Sequence, residues 1–248
     1  MDESKLNYQQ CIKCVLDTND TRNIKFNSEG ICNYCQSYFD KIKLLGNLEE
    51  REAKLFKIIE EIKTAGKGQK YDCILGISGG TDSTYLSYWI KQQGLRPLVV
   101  HMDNGWNSEL AVKNIENICS ILGYELHTYV IDWEEFRSLQ VAYLKAGVVD
   151  IEVLTDHAII AIISKLAKQY KINYSLNGFN YTTEAIMPKD WVFDKTDFSN
   201  IKDIGLKFGG IKKFKTFPNL PFAKRLYNHF FNSFKSIQVL NYIDYNKS

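Results

Sequence analysis

The sequence predicts an α/β fold: a parallel twisted sheet with helices on both faces, preceded by a small cysteine-built module. Three observations lead there. From residue 71 onward, short apolar runs alternate with stretches of helical period. The first run ends in Ser78-Gly79-Gly80-Thr81-Asp82-Ser83, a turn of small residues with a helical pattern directly behind it. Ahead of all this, Cys11-x-x-Cys14 and Cys32-x-x-Cys35 stand with about 17 residues between them.

In chain order, residues 1–45 form the module. Each Cys-x-x-Cys turn places two sulfurs on one side, and two such turns close a tetrahedron. Cys11, Cys14, Cys32 and Cys35 therefore read as a zinc ribbon. With four thiolates and no open position, the zinc is expected to be structural. The competing reading, reduced cysteines in a small core, suits so polar a segment poorly. Ile24–Phe26 reads as a strand and Ser28–Gly30 as a turn. Residues 46–248 form the main domain. Leu48, Leu55, Ile58, Ile59 and Ile62 put an apolar stripe on a charged helix from Leu45 to Gly66.

Asp72–Ile77 is the first strand, with Leu86, Tyr88, Trp89 and Ile90 on the helix after the turn. Pro97–Met102 is a second strand. A helix to Leu122 follows, capped by Asn107 or Ser108. Glu125–Ile131 is a third strand, followed by a helix from Asp132 to about Lys145. Thr155 or Asp156 caps a helix reaching Tyr170, and Ile172–Leu176 is a fourth strand. Strands and helices in turn imply right-handed crossovers, and ligands then sit beyond the carboxyl ends of the strands. That rule selects Ser78–Ser83, His101–Trp106 and Asn177–Glu184.

Composition narrows the class. A 248-residue chain of net charge +2 is one sizeable domain, or one domain plus a module. That charge does not by itself argue for a nucleic-acid partner or an anionic membrane. No apolar run is long enough to span a bilayer and the polar start is unlike a signal peptide, so a cytoplasmic enzyme is the expectation.

The Ser78–Ser83 turn carries the chemistry. A helix start aims free N–H groups and partial positive charge at it, which suits phosphate. Gly79 and Gly80 let the backbone approach an anion, and Ser78, Thr81 and Ser83 offer hydroxyls. Asp82 would repel phosphate unless a cation lay between them, so it reads as a Mg²⁺ ligand. A plain Gly-Gly turn is the competing reading. The turn has neither the lysine of a Walker loop nor a dinucleotide fingerprint. It resembles instead the pyrophosphate loop of the ATP pyrophosphatase (PP-loop) superfamily, whose members share the adenine nucleotide alpha hydrolase-like fold. The resemblance implies ATP cleaved between its α and β phosphates and AMP passed to a substrate oxygen. It also implies adenine beside Val100, His101 and Met102, with ribose or metal near Asp103 and Asn104. For His101, a solvent-facing strand-end histidine competes with a site role.

Three further groups are candidates. Gly178 would let the backbone approach a nucleotide, and Asn177, Asn180 and Glu184 can converge on a ligand; a hydrogen-bonded turn is the alternative. Asp156 and His157 read either as a cap with its neighbour or as a site pair in which His157 moves protons. Met187–Trp191 looks like a loop over the site, with Lys189 able to bind phosphate. The late cluster Lys212, Lys213, Phe214, Lys215, Arg225, Tyr227, Phe230, Phe231 and Phe234 reads as core aromatics plus lysines that could hold a sugar-nucleotide phosphate.

Taken together, several stretches resemble the N-acetyl sugar amidotransferases of bacterial surface-polysaccharide pathways (LPS O-antigen, pseudaminic-type sugars). They are the wording around the cysteines, the ATP loop, Asp103–Glu109, Ile131–Trp133 and Thr155–Ile159. The resemblance implies a nucleotide-activated N-acetyl sugar whose acetamido oxygen is adenylated using ATP and Mg²⁺ and then replaced by ammonia nitrogen, giving an acetamidino sugar. It implies that a glutaminase subunit and a histidine-biosynthesis-like cyclase barrel supply the ammonia, since Cys73 and Cys119 are poorly placed for a glutaminase. Family members run on past the equivalent of Asn241–Asn246, so a shortened C-terminal part is expected and the apolar run Ile237–Ile243 has no evident partner. A thiolase-like tRNA-modifying enzyme and a non-catalytic ATP-binding docking chain remain as alternatives.

Overall fold

The computed structural model describes residues 8–184, 186–220 and 234–245. Five strands build the sheet: β1 (Cys73–Gly76), β2 (Pro97–Asp103), β3 (Leu126–Val130), β4 (Tyr174–Asn177) and β5 (Lys235–Gln238). Their order is β3-β2-β1-β4-β5 and every pairing is parallel. Parallel neighbours need long crossovers, and helices supply them: α3 (Thr81–Gln92), α4 (Glu109–Leu122), then α5 (Trp133–Lys145) and α6 (Val153–Tyr170). α1 (Asn33–Leu44) and α2 (Leu48–Ala65) precede the sheet, and α7 (Tyr181–Glu184) and α8 (Phe198–Gly209) follow β4.

Side-chain alternation along the strands feeds two faces. Cys73, Leu75, Val99 and Leu176 pack with residues of α2, α3 and α4, among them Leu55, Ile59, Leu86, Ile90 and Ile115. Ile74, Leu98 and Val100 pack on the other face against Ile162, Leu166 and Ala167 of α6. α5 and α8 extend that second layer through Phe136, Leu139, Ile201 and Ile204. The helices thus cover both faces, as the alternating pattern requires. Asp72, almost fully buried, fixes the entry to β1: its carboxylate accepts from the Arg96 backbone N–H at 2.9 Å and from the Arg96 guanidinium at 2.5 Å. No helix among the described residues is long and apolar enough to cross a membrane.

The structure departs from the sequence expectations at five places. The expected strand at Ile24–Phe26 is reduced to one bridge, Phe26 to Cys32. The second cysteine pair opens a helix, α1, with Cys32 as its N-cap, and α2 is capped separately by Asn47. α6 begins at Val153, so Thr155 and Asp156 lie in its first turn rather than capping it. α8 has no counterpart in the expected elements. The run Ile237–Ile243 is not left without a partner. It enters β5 beside β4, and Val239, Leu240 and Ile243 join the main core. Arg225, Tyr227, Phe230 and Phe231 lie outside the described residues.

Candidate active site

The strand order reverses direction at β1. β2 and β3 extend to one side of it, β4 and β5 to the other. A crevice forms beyond the carboxyl ends of strands at such a switch point, and a cleft of about 460 Å³ lies there. Ile77, Ser78, Asp82 and Ser83 line it from the β1 side, Val100, His101 and Met102 from β2, and Asn177, Gly178 and Phe179 from β4.

The loop between β1 and α3 is held by its own small residues. Gly79 has φ +75°, and a Cβ there would lie 2.4 Å from the Ala111 carbonyl oxygen, so both conformation and space require glycine. Asn114 Nδ2 donates to the Gly79 carbonyl at 3.2 Å. Ser83 Oγ accepts from the Ser78 N–H at 3.3 Å and donates to the Gly80 carbonyl at 3.1 Å. Gly80 is the N-cap of α3 and has no side chain to satisfy the first N–H groups; it and Thr81 are exposed. The helix start therefore presents donors and partial positive charge beside the cleft. Asp82 lies in the first turn of α3, and its Oδ1 accepts from the Tyr245 hydroxyl at 2.5 Å. Tyr245 is in turn packed on Tyr85, ring centroids 4.9 Å apart. Burial and the Asp82 carboxylate push the Tyr245 hydroxyl up to about 12, so it is a donor at any ordinary pH. A carboxylate beside hydroxyls and a glycine loop is a donor set that suits Mg²⁺ held against phosphate oxygens.

The remaining walls come from β2, α6 and the segment after β4. His101 is buried, with Nδ1 3.2 Å from the Ile77 carbonyl oxygen; since a carbonyl only accepts, Nδ1 is the donor in this contact. Thr155, Ile159, Ile162 and Ile163 form an apolar wall, and Asn104 and Asn107 close it on the β2 side. Glu184 reaches the cleft from α7.

Other candidates lie elsewhere. His157 is completely buried, stacked on Phe198 and Phe217. Its Nδ1–H donates to the Lys195 carbonyl at 2.8 Å, while Nε2 accepts from the Leu220 N–H at 3.2 Å. Burial lowers its pKa, keeping it neutral, and both nitrogens are engaged, so it anchors loops instead of moving protons at the cleft. Asp156 points to Lys195, at 3.2 Å, and not into the cleft. Asn180 caps α7: its Oδ1 accepts from the Thr182 N–H at 2.9 Å and hydroxyl at 2.7 Å. Asp103 closes its own turn, accepting from the Gly105 N–H at 2.9 Å and Asn107 Nδ2 at 3.1 Å. Lys189 is exposed outside the cleft, because its loop docks on the cysteine module. There Asp190 accepts from Thr21 and Asn23, and Trp191 Nε1 donates to the Asp20 carbonyl at 3.1 Å. Lys212 and Lys213 are exposed and do not line the cleft. The wall Thr155-Ile159-Ile162 escaped sequence reading although its i, i+4, i+7 spacing was visible. Tyr245 had no local signal at all.

In the module, the sulfurs of Cys11, Cys14, Cys32 and Cys35 all lie within 4.8 Å of one another. The Cys11–Cys35 and Cys14–Cys32 separations are 3.8 and 3.7 Å. A tetrahedral ion with metal–sulfur bonds of about 2.3 Å needs sulfur edges of roughly 3.8 Å, so the cluster fits a metal. Burial alone would raise the Cys11 thiol, but N–H donors from Cys32, Lys13 and Cys14 bring it down to about 6, whereas burial, with the neighbouring sulfurs, pushes Cys14 and Cys35 up.

No protein-family profile matches the chain. Over 64 residues it is 38% identical to a tRNA(Ile)-lysidine synthase of Chlamydia pneumoniae, covering 25% of this chain and 20% of that protein. Over 110 residues it is 30% identical to an uncharacterised protein of Methanocaldococcus jannaschii, covering 44% and 38%. The matches thus span well under half the length of either relative. Among solved structures, it is similar to an NH3-dependent NAD synthetase from Campylobacter jejuni. That similarity has a TM-score of 0.40 and 15% identity, over 68% of this chain and 79% of that one.

Proposed function

We propose that the cleft binds ATP as a PP-loop site and that the chain adenylates an amide oxygen, serving as the synthetase component of an N-acetyl sugar amidotransferase. The observation that carries this reading is the Ser78–Ser83 loop at the switch point. It offers a helix start and hydroxyls but no Walker lysine, with Asp82 facing the same cleft. Mg²⁺ held by Asp82 would supply charge stabilisation on the phosphates. The loop N–H groups and the hydroxyls of Ser78 and Ser83 then hold the pyrophosphate end, and the isoleucine wall of α6 and the end of β2 take the adenosine. The acetamido oxygen of the acceptor attacks the α-phosphorus and pyrophosphate leaves. Ammonia adds at the activated carbon, AMP departs with the former amide oxygen, and protons lost from nitrogen leave an amidine. Adenylation is what makes the step feasible, because an amide oxygen is otherwise a poor leaving group.

Burial raises the thiols of both Cys73 and Cys119, and neither lines the cleft. The reading therefore assigns ammonia to partners, a glutaminase subunit and a cyclase-like barrel, and it argues against a thiolase that uses a cleft cysteine. The cysteine cluster is assigned to structural zinc, and the cytoplasm is the proposed location. A second reading, adenylation of a tRNA base, is favoured by the lysidine synthase relative.

One assay separates them. The protein is incubated with ATP, Mg²⁺, an ammonium salt and either N-acetylated nucleotide sugars or tRNA. AMP formed with a sugar whose mass drops by the difference between O and NH supports amidination. AMP formed with tRNA alone would transfer the reading to RNA.

A further inference from the structure

A second hollow, of about 330 Å³, lies beyond the carboxyl ends of β4 and β5, against the start of α2. Among the described residues that line it, the charged ones, Arg51 and Lys54, are both cationic, and none is a carboxylate. They stand three apart on α2, which puts their Cβ atoms about 5–6 Å apart on one face. Neither forms an ion pair among the described residues. The Arg51 side chain donates from a terminal nitrogen to the Asn241 carbonyl at 3.0 Å. Its Nε is buried and has no acceptor among the described residues. A guanidinium N–H withdrawn from water and left without an acceptor is costly, and an anionic oxygen is the partner that relieves it best. Ser236, Gln238 and Asn241 add uncharged polar groups around the two cations.

The hollow is joined to the cleft at two points. Asn177, which lines the cleft, donates from Nδ2 to Ser236 Oγ at 2.9 Å, and Ser236 lines the hollow. The short helix α7 presents Tyr181 to the hollow and Glu184 to the cleft. A molecule anchored in the hollow is thus separated from the cleft by one hydrogen-bonded pair and one helical turn.

We propose that Arg51 and Lys54 bind the diphosphate of the acceptor, a nucleoside-diphosphate-activated substrate whose reactive end passes over Asn177 into the ATP cleft. The identity of this anion rests on the amidotransferase reading; the anion site itself rests only on the hollow and its two cations. Separate sites for the two polyanions would let each be held by its own charges instead of competing for the Ser78–Ser83 loop.

Calorimetry tests it, with the cleft first saturated by α,β-methylene-ATP and Mg²⁺ and inorganic pyrophosphate then titrated as the probe. One saturable site is expected, weakening steeply with salt. Lys54→Gln is expected to weaken it about 10-fold and Arg51→Gln at least as much. Lys54 is exposed, so that variant remains informative if Arg51→Gln lowers the melting temperature by releasing Asn241. Absence of pyrophosphate binding once the analogue is bound, or binding indifferent to both substitutions, overturns the site. Failure of the analogue itself to bind would overturn the ATP reading instead; the Lys54 dependence of pyrophosphate binding to the free protein would then still decide the hollow.

Discussion

Two helix starts flank the cleft, and their sequences look equally functional. α3 begins Thr81-Asp82-Ser83 and α6 begins Val153-Leu154-Thr155-Asp156-His157. Of the singled-out residues in α3, Asp82 and Ser83 line the cleft and Thr81 does not. In α6 the residues that line it are Thr155, Ile159, Ile162 and Ile163, while Asp156 and His157 turn to Lys195 and to a buried aromatic cluster. The difference is rotation. One residue turns a helix by about 100°, so Thr155, Ile159 and Ile162 share a stripe and His157 faces the opposite way. α3 escapes this ambiguity because the loop before it is pinned by Gly79 against Ala111, which leaves one phase for the helix that follows.

Substitutions at the two starts should separate them, and the largest effect is expected at Asp82. Asp82→Ala should reduce AMP formation at least about 100-fold, with melting temperature and bound metal at the cysteines little changed. Turnover near the original rate would remove Asp82 from the chemistry and undo the contrast. His157→Asn should do the reverse. Losing stacking and one of two buried bonds should cost about 3 kcal/mol, or roughly 6–12 °C of melting temperature, while AMP formation by the folded protein stays normal.

The pH dependence carries the same signature. Burial depresses the His157 pKa below its ordinary 6.5. As pH falls, the unfolded chain therefore binds the proton first. Its contribution to stability is full above about pH 6.5 and is lost progressively below it, towards the folded-state pKa. Melting scans should show a shallower acid-side decline in His157→Asn than in the original protein.

Smaller effects sharpen the α3 side. Tyr245→Phe keeps the ring on Tyr85 but deletes the donor to Asp82 Oδ1. Half-maximal Mg²⁺ should rise about 3- to 10-fold with kcat at saturating Mg²⁺ nearly unchanged. An unaltered Mg²⁺ titration would mean that the hydroxyl does not orient the carboxylate. Asp156→Asn should be the mildest, changing AMP formation less than about 2-fold, because Lys195 keeps its tighter 2.6 Å partner, Asp150.

Sequence reading went furthest where chemistry is local. Gly79-Gly80, Asp82 and the two Cys-x-x-Cys pairs state their geometry within a few residues, since tight turns and metal knuckles are short-range objects. It went least far where a side chain serves something distant. Asn180 carries the polar chemistry of a ligand-binding residue, yet its oxygen caps α7. Lys189 follows the fourth strand at the spacing of a lid, but Asp190 and Trp191 fasten that loop to the cysteine module. Neither competing partner is within reach of a periodicity argument.

By itself the sequence determined the alternating parallel architecture, the glycine turn between the first sheet strand and its helix, and the four-cysteine cluster, because backbone conformation, apolar period and ligand spacing are set by neighbours along the chain. Only the tertiary structure decided which face of α6 meets the cleft, that β5 extends the sheet beside β4, and that Tyr245 reaches back to Asp82. Those outcomes depend on how separately formed elements bury their apolar faces against one another, and that packing brings together residues 163 positions apart.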